Sequence, residues 1–134
     1  MDLDTLVKNL DCEKINYQNV EITGLSYNSK TTDEGNLFIC LVGENTDGHE
    51  YAKMAEENGA VALMVERKLD SDLPQILVKS TRHQIADVAD AFYNSPSKAI
   101  NLIGVTGTNG KTTVTHLIQK IFEHDEKRCA LIGT

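Results

Sequence analysis

Four short stretches in the first two thirds of the chain predict the strands of a sheet. They cover residues 20–25, 37–42, 60–65 and 75–78. The run at 37–42 is apolar throughout, so we expect this strand to be buried on both faces, as in a parallel sheet covered by helices. A turn at 34–36 precedes it, and a polar loop containing two glycines follows at 43–48.

Three stretches with apolar residues at helical spacing predict helices. The first covers residues 2–10, with Asp2 as its N-cap. The second covers 49–58, and its inward face is expected to consist of Tyr51, Met54 and Ala55. The third begins at Thr81, where Thr81-x-x-Gln84 resembles a capping box, and its buried face is Ile85, Val88, Ala89 and Phe92. Helices alternating with strands predict an α/β fold.

Two polar features of this first part allow a structural or a functional interpretation. Residues 26–32 are rich in hydroxyl groups, and composition alone favours a solvated loop. His49 is more typical of a hydrogen-bonded residue in a first helical turn than of a ligand or an acid–base group. No pair of histidines has the spacing of metal ligands.

A proline-containing linker at 93–97 separates this part from the rest of the chain, so we predict domains at 1–97 and 98–134. In the second part, an apolar run at 102–105 predicts a strand, and the glycine-spaced loop 107–110 follows it. A helix then opens at Lys111, with an apolar stripe formed by Val114, Leu117, Ile118, Ile121 and Phe122. A second strand is predicted at 129–132, which completes one βαβ unit.

Strand, glycine loop, Lys-Thr and helix together predict a phosphate-binding P-loop. Glycine lets the backbone approach phosphate oxygens closely, and the start of the helix directs free N–H groups and a positive dipole at the anion. Lys111 is expected to reach the β- and γ-phosphates, while the Thr112 hydroxyl holds Mg²⁺. The glycines fall at 104, 107 and 110 rather than in the strict P-loop pattern, so a glycine-rich turn without a ligand remains an alternative.

Composition narrows the class of protein. The 134 residues carry a net charge of −7, which argues against a nucleic-acid surface. The N-terminus is acidic rather than basic, and no apolar run approaches the length that spans a bilayer, so neither a signal peptide nor membrane insertion is expected. Three scattered cysteines suit reduced thiols in the cytoplasm.

The second part is short for a nucleotide-binding domain. One βαβ unit is too little for a covered parallel sheet, and a P-loop enzyme also needs an acid at a later strand end for its metal. The acids after Lys111 are confined to the end of the helix and the turn that follows it. We therefore expect the chain to be the front piece of a longer enzyme, inactive by itself.

Two segments resemble one known family. The loop Val-Thr-Gly-Thr-Asn-Gly-Lys-Thr-Thr at 105–113 is similar to the ATP-binding signature of the Mur ligases, which build the peptide stem of bacterial cell-wall precursors. Independently, the order of motifs from Asn28 to His49 resembles the UDP-binding N-terminal domain of the same family. That family pattern is Asp-Ser-Arg, Pro-Gly-Asp-Leu-Phe, Gly and Asp-Gly-His, and the chain departs from it at Asn28, Lys30 and Glu34. Lysine keeps the charge of arginine but loses its planar fork.

The resemblance implies a UDP-binding α/β domain followed by the first βαβ unit of a P-loop nucleotide-binding domain. It also implies site residues. Those expected to contact the UDP part of the substrate are Tyr27, Ser29, Glu44, Asn45 and Thr46. Those expected to bind ATP are Gly107, Thr108, Asn109, Gly110, Lys111, Thr112 and Thr113, with Lys111 and Thr112 catalytic and Thr112 also at the metal.

The implied activity is ATP-dependent addition of the third amino acid to UDP-N-acetylmuramoyl-L-Ala-D-Glu, through an acyl phosphate, in peptidoglycan synthesis. The implied partners are that UDP-linked dipeptide and an amino acid, with ATP and Mg²⁺, in a cytoplasmic and monomeric enzyme linked to cell shape and cell division. An alternative is another P-loop ATP-dependent ligase or kinase that does not act on a UDP-sugar. A binding module without activity of its own is compatible with either interpretation.

Overall fold

The computed structural model describes residues 1–133, and the chain divides into two compact units, Met1–Pro96 and Ser97–Thr134. The first unit is built on one five-stranded sheet with strand order β1-β5-β4-β3-β2. Its strands are β1 Glu13–Ile15, β2 Gly24–Ser26, β3 Asn36–Ile39, β4 Ala62–Val65 and β5 Gln75–Leu77. The α-helices of the chain are α1 Leu3–Val7, α2 Ala52–Glu57, α3 Thr81–Phe92 and α4 Lys111–His124.

The sheet is mostly parallel, and the predicted α/β class is confirmed. Strands β2 to β5 pair in parallel, whereas β1 pairs antiparallel with β5 at one edge. Three of the four predicted strands form close to the expected positions. The strand predicted at 20–25 lies later than expected, at Gly24–Ser26. Ile22 is fully buried but lies outside the ladder, and regular pairing starts only at Gly24.

Both faces of the sheet are covered, as the unbroken apolar run at 37–42 predicted. Alternate residues of β3 and β4 point to opposite sides. Leu37, Ile39, Ala62 and Met64 join the core beneath α1 and α3, to which Leu3, Leu6 and Val88 contribute. The other face belongs to a second core, formed by Phe38, Cys40, Leu63 and Val65 against Ala52 and Ala55 of α2. The first unit is therefore a three-layer sandwich of helices around a sheet.

The predicted inward face of the second helix was wrong in part. The segment begins with a 3₁₀ turn at Gly48–Tyr51 rather than with α-helix, and its tighter winding changes which residues of the segment face inward. As a result Ala52 and Ala55 are buried, whereas Tyr51 and Met54 are 40% and 42% exposed. This change places Tyr51 beside the pocket described below.

The start of α3 corrects the predicted capping box. Ser80 is the N-cap and makes no side-chain cap bond, while Thr81 is the first helical residue. The cap comes from the end of β4 instead: Glu66 Oε1 accepts hydrogen bonds from Thr81 N and Oγ1, at 2.7 and 2.9 Å. Thr81 is fully buried, and its Oγ1 also lies 3.0 Å from the Cys40 carbonyl oxygen.

Replacement of Thr81 with valine is expected to lower the free energy of unfolding by about 1–3 kcal/mol, because the shape is kept while buried acceptors lose a donor. Denaturant unfolding measures this. The matched control is Thr115→Val on α4, where the hydroxyl bonds its own helix at Thr112 O, and a change within about 0.5 kcal/mol is expected there. Equal effects of the two substitutions would contradict the proposed cap.

The second unit contains α4 and a short 3₁₀ turn at Pro96–Ala99. Neither 102–105 nor 129–132 forms a ladder within residues 1–133, so the two predicted strands of the βαβ unit are corrected. A strand is held by hydrogen bonds to neighbouring strands, and the one sheet of the described residues lies in the other unit. The apolar stripe of α4 is accordingly exposed at Val114, Leu117 and Ile121. None of the described helices is long and apolar enough to cross a membrane.

Candidate functional site

A pocket of about 500 Å³ opens in the first unit, beyond the carboxyl ends of β2 and β3. Ligands of parallel α/β sheets bind at this edge, where the loops leave the strands. The pocket combines aromatic, hydroxyl and cationic side chains. Its lining residues are Tyr27, Asn28, Ser29, Lys30, Phe38, Leu41, Gly43, Thr46, Gly48 and Tyr51.

Three of the five residues expected to contact the UDP group line this one pocket: Tyr27, Ser29 and Thr46. Glu44 and Asn45 do not line it. Gly43 N donates to Thr46 O at 2.8 Å and Val42 bridges to Asp47, which closes a tight loop and leaves 44 and 45 exposed at its tip. Their assignment stays a prediction.

The hydroxyl-rich stretch at 26–32 is not the solvated loop that composition favours. Its side chains fold around one backbone oxygen: Ser26 Oγ and Thr32 Oγ1 each lie 3.1 Å from the Asn28 carbonyl and 2.9 Å from each other. Ser26, Ser29 and Thr32 are buried. A 3₁₀ turn at Ser29–Thr31 results, capped by the Asn28 side chain, and it fixes one wall of the pocket.

Two residues of the neighbouring helical segment hold Ser29 in place. Its carbonyl oxygen accepts a hydrogen bond from Asn58 Nδ2 at 2.7 Å, and its hydroxyl lies 3.3 Å from the sulfur of Met54. Both partners belong to α2 or its C-cap. The wall formed by residues 29–31 is therefore fixed to the helix that covers this face of the sheet.

Sequence reasoning missed several lining residues, of which Tyr51 and Leu41 are the most informative. Helical spacing predicts Tyr51 on the inward face of a helix, and the apolar run at 37–42 predicts Leu41 within a buried strand. The glycine at 48 within Asp-Gly-His is the available signal, since glycine allows this loop to approach the Leu41 backbone closely.

A network of polar side chains surrounds Asp47, in the loop at 43–48. Asp47 Oδ1 accepts hydrogen bonds from the backbone N–H and the ring Nδ1 of His49, at 2.9 and 2.6 Å, and Asp47 Oδ2 pairs with Arg67 at 2.7 Å. The His49 backbone N–H, then its ring and Arg67, hold the pKa of the Asp47 carboxyl well below its usual range. His49 is thus a hydrogen-bonded residue of a first helical turn, as the sequence indicated.

The neighbouring Cys40 thiol is a core residue rather than a reactive group. It is fully buried, and burial together with the Asp47 carboxylate raises its pKa to about 12. The described part of the chain contains no group of three or more histidine, cysteine, aspartate or glutamate side chains able to hold a metal ion.

In the second unit, the glycine loop leads directly into α4. Gly110 is the N-cap and adopts a left-handed conformation with φ +77°, which residues that carry a Cβ rarely adopt. No side chain caps the helix, so the N–H groups of its first turn stay available, and every residue from Gly107 to Thr113 is exposed. The Lys111 ammonium group folds back to donate to the Gly107 carbonyl and lies over this loop.

Comparison with known proteins matches both segments to the same family. Residues 21–93 match the Mur ligase family catalytic domain, and residues 105–134 match the Mur ligase middle domain. The chain belongs to the Mur ligase family. The two matched regions contain the pocket of the first unit and the glycine loop of the second, which are the two sites described above.

Curated Mur ligases with high similarity share one name, UDP-N-acetylmuramoyl-L-alanyl-D-glutamate--2,6-diaminopimelate ligase. The protein of this name from Bacillus velezensis is 40% identical over 136 residues, covering 100% of this chain and 28% of the relative. That from Halalkalibacterium halodurans is 47% identical over 116 residues, covering 87% of this chain and 24% of the relative. The chain thus spans about a quarter of the length of these relatives.

Solved Mur ligase structures share the fold. A structure titled with the same diaminopimelate ligase name covers 100% of this chain and 28% of its own, with a TM-score of 0.74 and 26% identity. The MurF ligase from Thermotoga maritima in complex with ADP covers 75% of this chain and 23% of its own, with a TM-score of 0.59 and 32% identity.

Proposed function

We propose that this chain provides the UDP-sugar site and the phosphate-binding loop of an ATP-dependent ligase. The enzyme adds the third amino acid to UDP-N-acetylmuramoyl-L-Ala-D-Glu during peptidoglycan synthesis. Residues 1–97 form the UDP-sugar domain, and residues 98–134 begin the ATP-binding domain. The observation that carries the proposal is that one chain combines the pocket bearing Tyr27, Ser29 and Thr46 with a family-matched glycine loop before a helix.

The pocket suits a uridine diphosphate. Its volume of about 500 Å³ lies in the range of small-molecule sites. Tyr27 and Tyr51 offer aromatic surface to the base, since both are exposed at the pocket. The Thr46 hydroxyl can hydrogen-bond the nucleoside, and the Lys30 ammonium group can neutralise the diphosphate. Glu44 would contribute through its backbone, because its carboxylate would repel the diphosphate.

The loop from Gly107 to Thr113 suits a polyphosphate. Its unsatisfied N–H groups and the positive end of the α4 dipole face an anion, and Lys111 supplies a mobile positive charge. Thr112 would give Mg²⁺ one oxygen ligand, with phosphate oxygens and water as the others. When bound, the ion would neutralise charge on the phosphates. The ADP complex of the related MurF ligase supports a nucleotide as a ligand of this protein.

The proposed reaction transfers the γ-phosphoryl group of ATP to the side-chain carboxylate of the D-glutamate, giving an acyl phosphate and ADP. The amine of the incoming amino acid then attacks the acyl carbon, an amide bond forms and phosphate leaves. The names of the relatives support 2,6-diaminopimelate as that amino acid. We propose a monomeric enzyme. We also propose that it is cytoplasmic, since the three free cysteines of the described residues suit a reducing compartment.

Titration of the 134-residue chain with UDP tests the first half of the proposal. We expect saturable binding that shifts the backbone amide signals of Tyr27, Thr46 and Gly48, because these residues line the pocket. CDP at the same concentrations is the control and should bind more weakly. Binding of ATP without any binding of UDP would instead favour another P-loop ligase or kinase that does not act on a UDP-sugar.

A further inference from the structure

We propose that His49 is a positioning residue for the UDP pocket. It does not line the pocket, but its buried ring joins Asp47, in the loop at 43–48, to Glu66, which follows β4. We call these two ring hydrogen bonds the tether. The inference rests on the proposed function of that pocket, because it concerns how tightly the pocket binds a uridine nucleotide.

The tether runs through both nitrogens of the imidazole ring. His49 Nε2 accepts a hydrogen bond from the Glu66 backbone N–H at 2.8 Å. A backbone N–H is a fixed donor, so Nε2 carries no hydrogen and the neutral ring keeps its proton on Nδ1. Nδ1 then donates to Asp47 Oδ1 at 2.6 Å. The side chain is fully buried, so water does not compete for either bond.

The far end of the tether is rigid. Glu66 directly follows β4, and its carboxylate accepts two hydrogen bonds from Thr81 at the start of α3. Arg67, the next residue, pairs with the outer oxygen of Asp47. Asp47 is therefore joined to residues 66 and 67 by two routes, one through the His49 ring and one direct.

Asp47 matters because it stands between two lining residues, Thr46 and Gly48. Apolar packing contributes little to the position of this loop, because residues 42–46 are all exposed. Besides the tether, the loop is held by the Arg67 pair and by the backbone bond from Gly48 N to Leu41 O. A shift of Asp47 would displace both lining residues together. The loop is thus placed by the tether rather than by apolar packing.

The test measures UDP affinity of the 134-residue chain by calorimetry. His49→Leu should weaken binding about tenfold or more, because both polar links are lost. His49→Gln should recover binding to within about threefold, since its side-chain oxygen can reach the Nε2 position and accept from Glu66. His83→Leu, which changes an exposed histidine on α3, should leave the affinity unchanged.

Amide spectra separate positioning from loss of fold. In His49→Leu, we expect the signals of Thr46 and Gly48 to shift while those of β3 to β5 stay in place. If that variant does not fold, His49→Asn decides the question: it keeps a donor toward Asp47 but is too short for Glu66, so we expect weaker binding than in His49→Gln. A folded His49→Leu or His49→Asn variant with wild-type affinity would overturn the inference.

Failure of the proposed function gives a different result. If the unmodified chain binds no UDP, the pocket assignment itself is wrong and the tether has no ligand to affect. If the unmodified chain binds UDP and the folded His49 variants bind it equally well, the pocket assignment stands and the positioning role is refuted.

Discussion

Replacement of Lys111 with alanine in a full-length protein carrying this chain is expected to lower ligation by about 1,000-fold or more. Phosphoryl transfer is catalysed mainly by positioning and by neutralising charge that develops on the phosphate oxygens. The Lys111 ammonium group lies over the glycine loop, where it donates to the Gly107 carbonyl. Bound polyphosphate would offer it a stronger, charged acceptor. Release of phosphate in the presence of both amino acid and UDP-linked dipeptide measures the effect.

The matched control for this prediction is Lys120→Ala on the same helix. Lys120 is exposed and pairs with Glu123 three residues on, so its loss should change ligation little. UDP binding by Lys111→Ala should also match the unmodified protein, because the pocket belongs to the other unit. Undiminished turnover in Lys111→Ala would refute the role assigned to the loop.

The buried centre of the sheet could be predicted because parallel strands covered on both faces consist of unbroken apolar residues. The apolar runs 37–42, 60–65 and 76–78, which contribute to β3, β4 and β5, carry that signal. The edge strand Glu13–Ile15 does not: two of its three residues are exposed and charged, and it exists through antiparallel pairing with β5. Such pairing depends on a partner strand sixty or more residues away, which no local pattern reveals.

The candidate site was predictable only in part, and for a similar reason. Family resemblance, rather than composition, pointed to Ser29 and Thr46, since hydroxyl groups in a loop are common. The tether from His49 to Glu66 spans seventeen residues, and the Glu66 cap on Thr81 spans fifteen. Neither spacing repeats a helical or strand period, so these contacts follow from the fold rather than from local sequence.

In the second unit, local sequence predicts a strand that does not form. Its apolar run at 102–105 has the composition of a buried strand, yet it stays outside any ladder of the described residues. Local preference indicates what a segment can become, but strand pairing requires a neighbour. The glycine loop and the start of α4 form without a neighbouring strand. The left-handed conformation of Gly110 and a helix start without a side-chain cap depend only on nearby residues.

Gly48→Ala is expected to destabilise the first unit by about 3 kcal/mol and to remove measurable UDP binding. A Cβ at this position would lie 2.6 Å from Leu41 N, 2.8 Å from Leu41 O and 2.9 Å from Cys40 C. These are backbone atoms just past the end of β3, so no side-chain rotation relieves the clash. The loop would have to move away, breaking the 2.8 Å bond from Gly48 N to Leu41 O.

Thermal or denaturant unfolding and UDP titration of the 134-residue chain measure the two effects of Gly48→Ala. Gly104→Ala is the matched control, because a Cβ there would meet no atom within 4 Å. That control should keep its stability within about 0.5 kcal/mol and its UDP affinity unchanged. A Gly48→Ala chain that unfolds and binds UDP like the unmodified chain would contradict the prediction, because the loop at 43–48 would then not need its close approach to the backbone of residues 40 and 41.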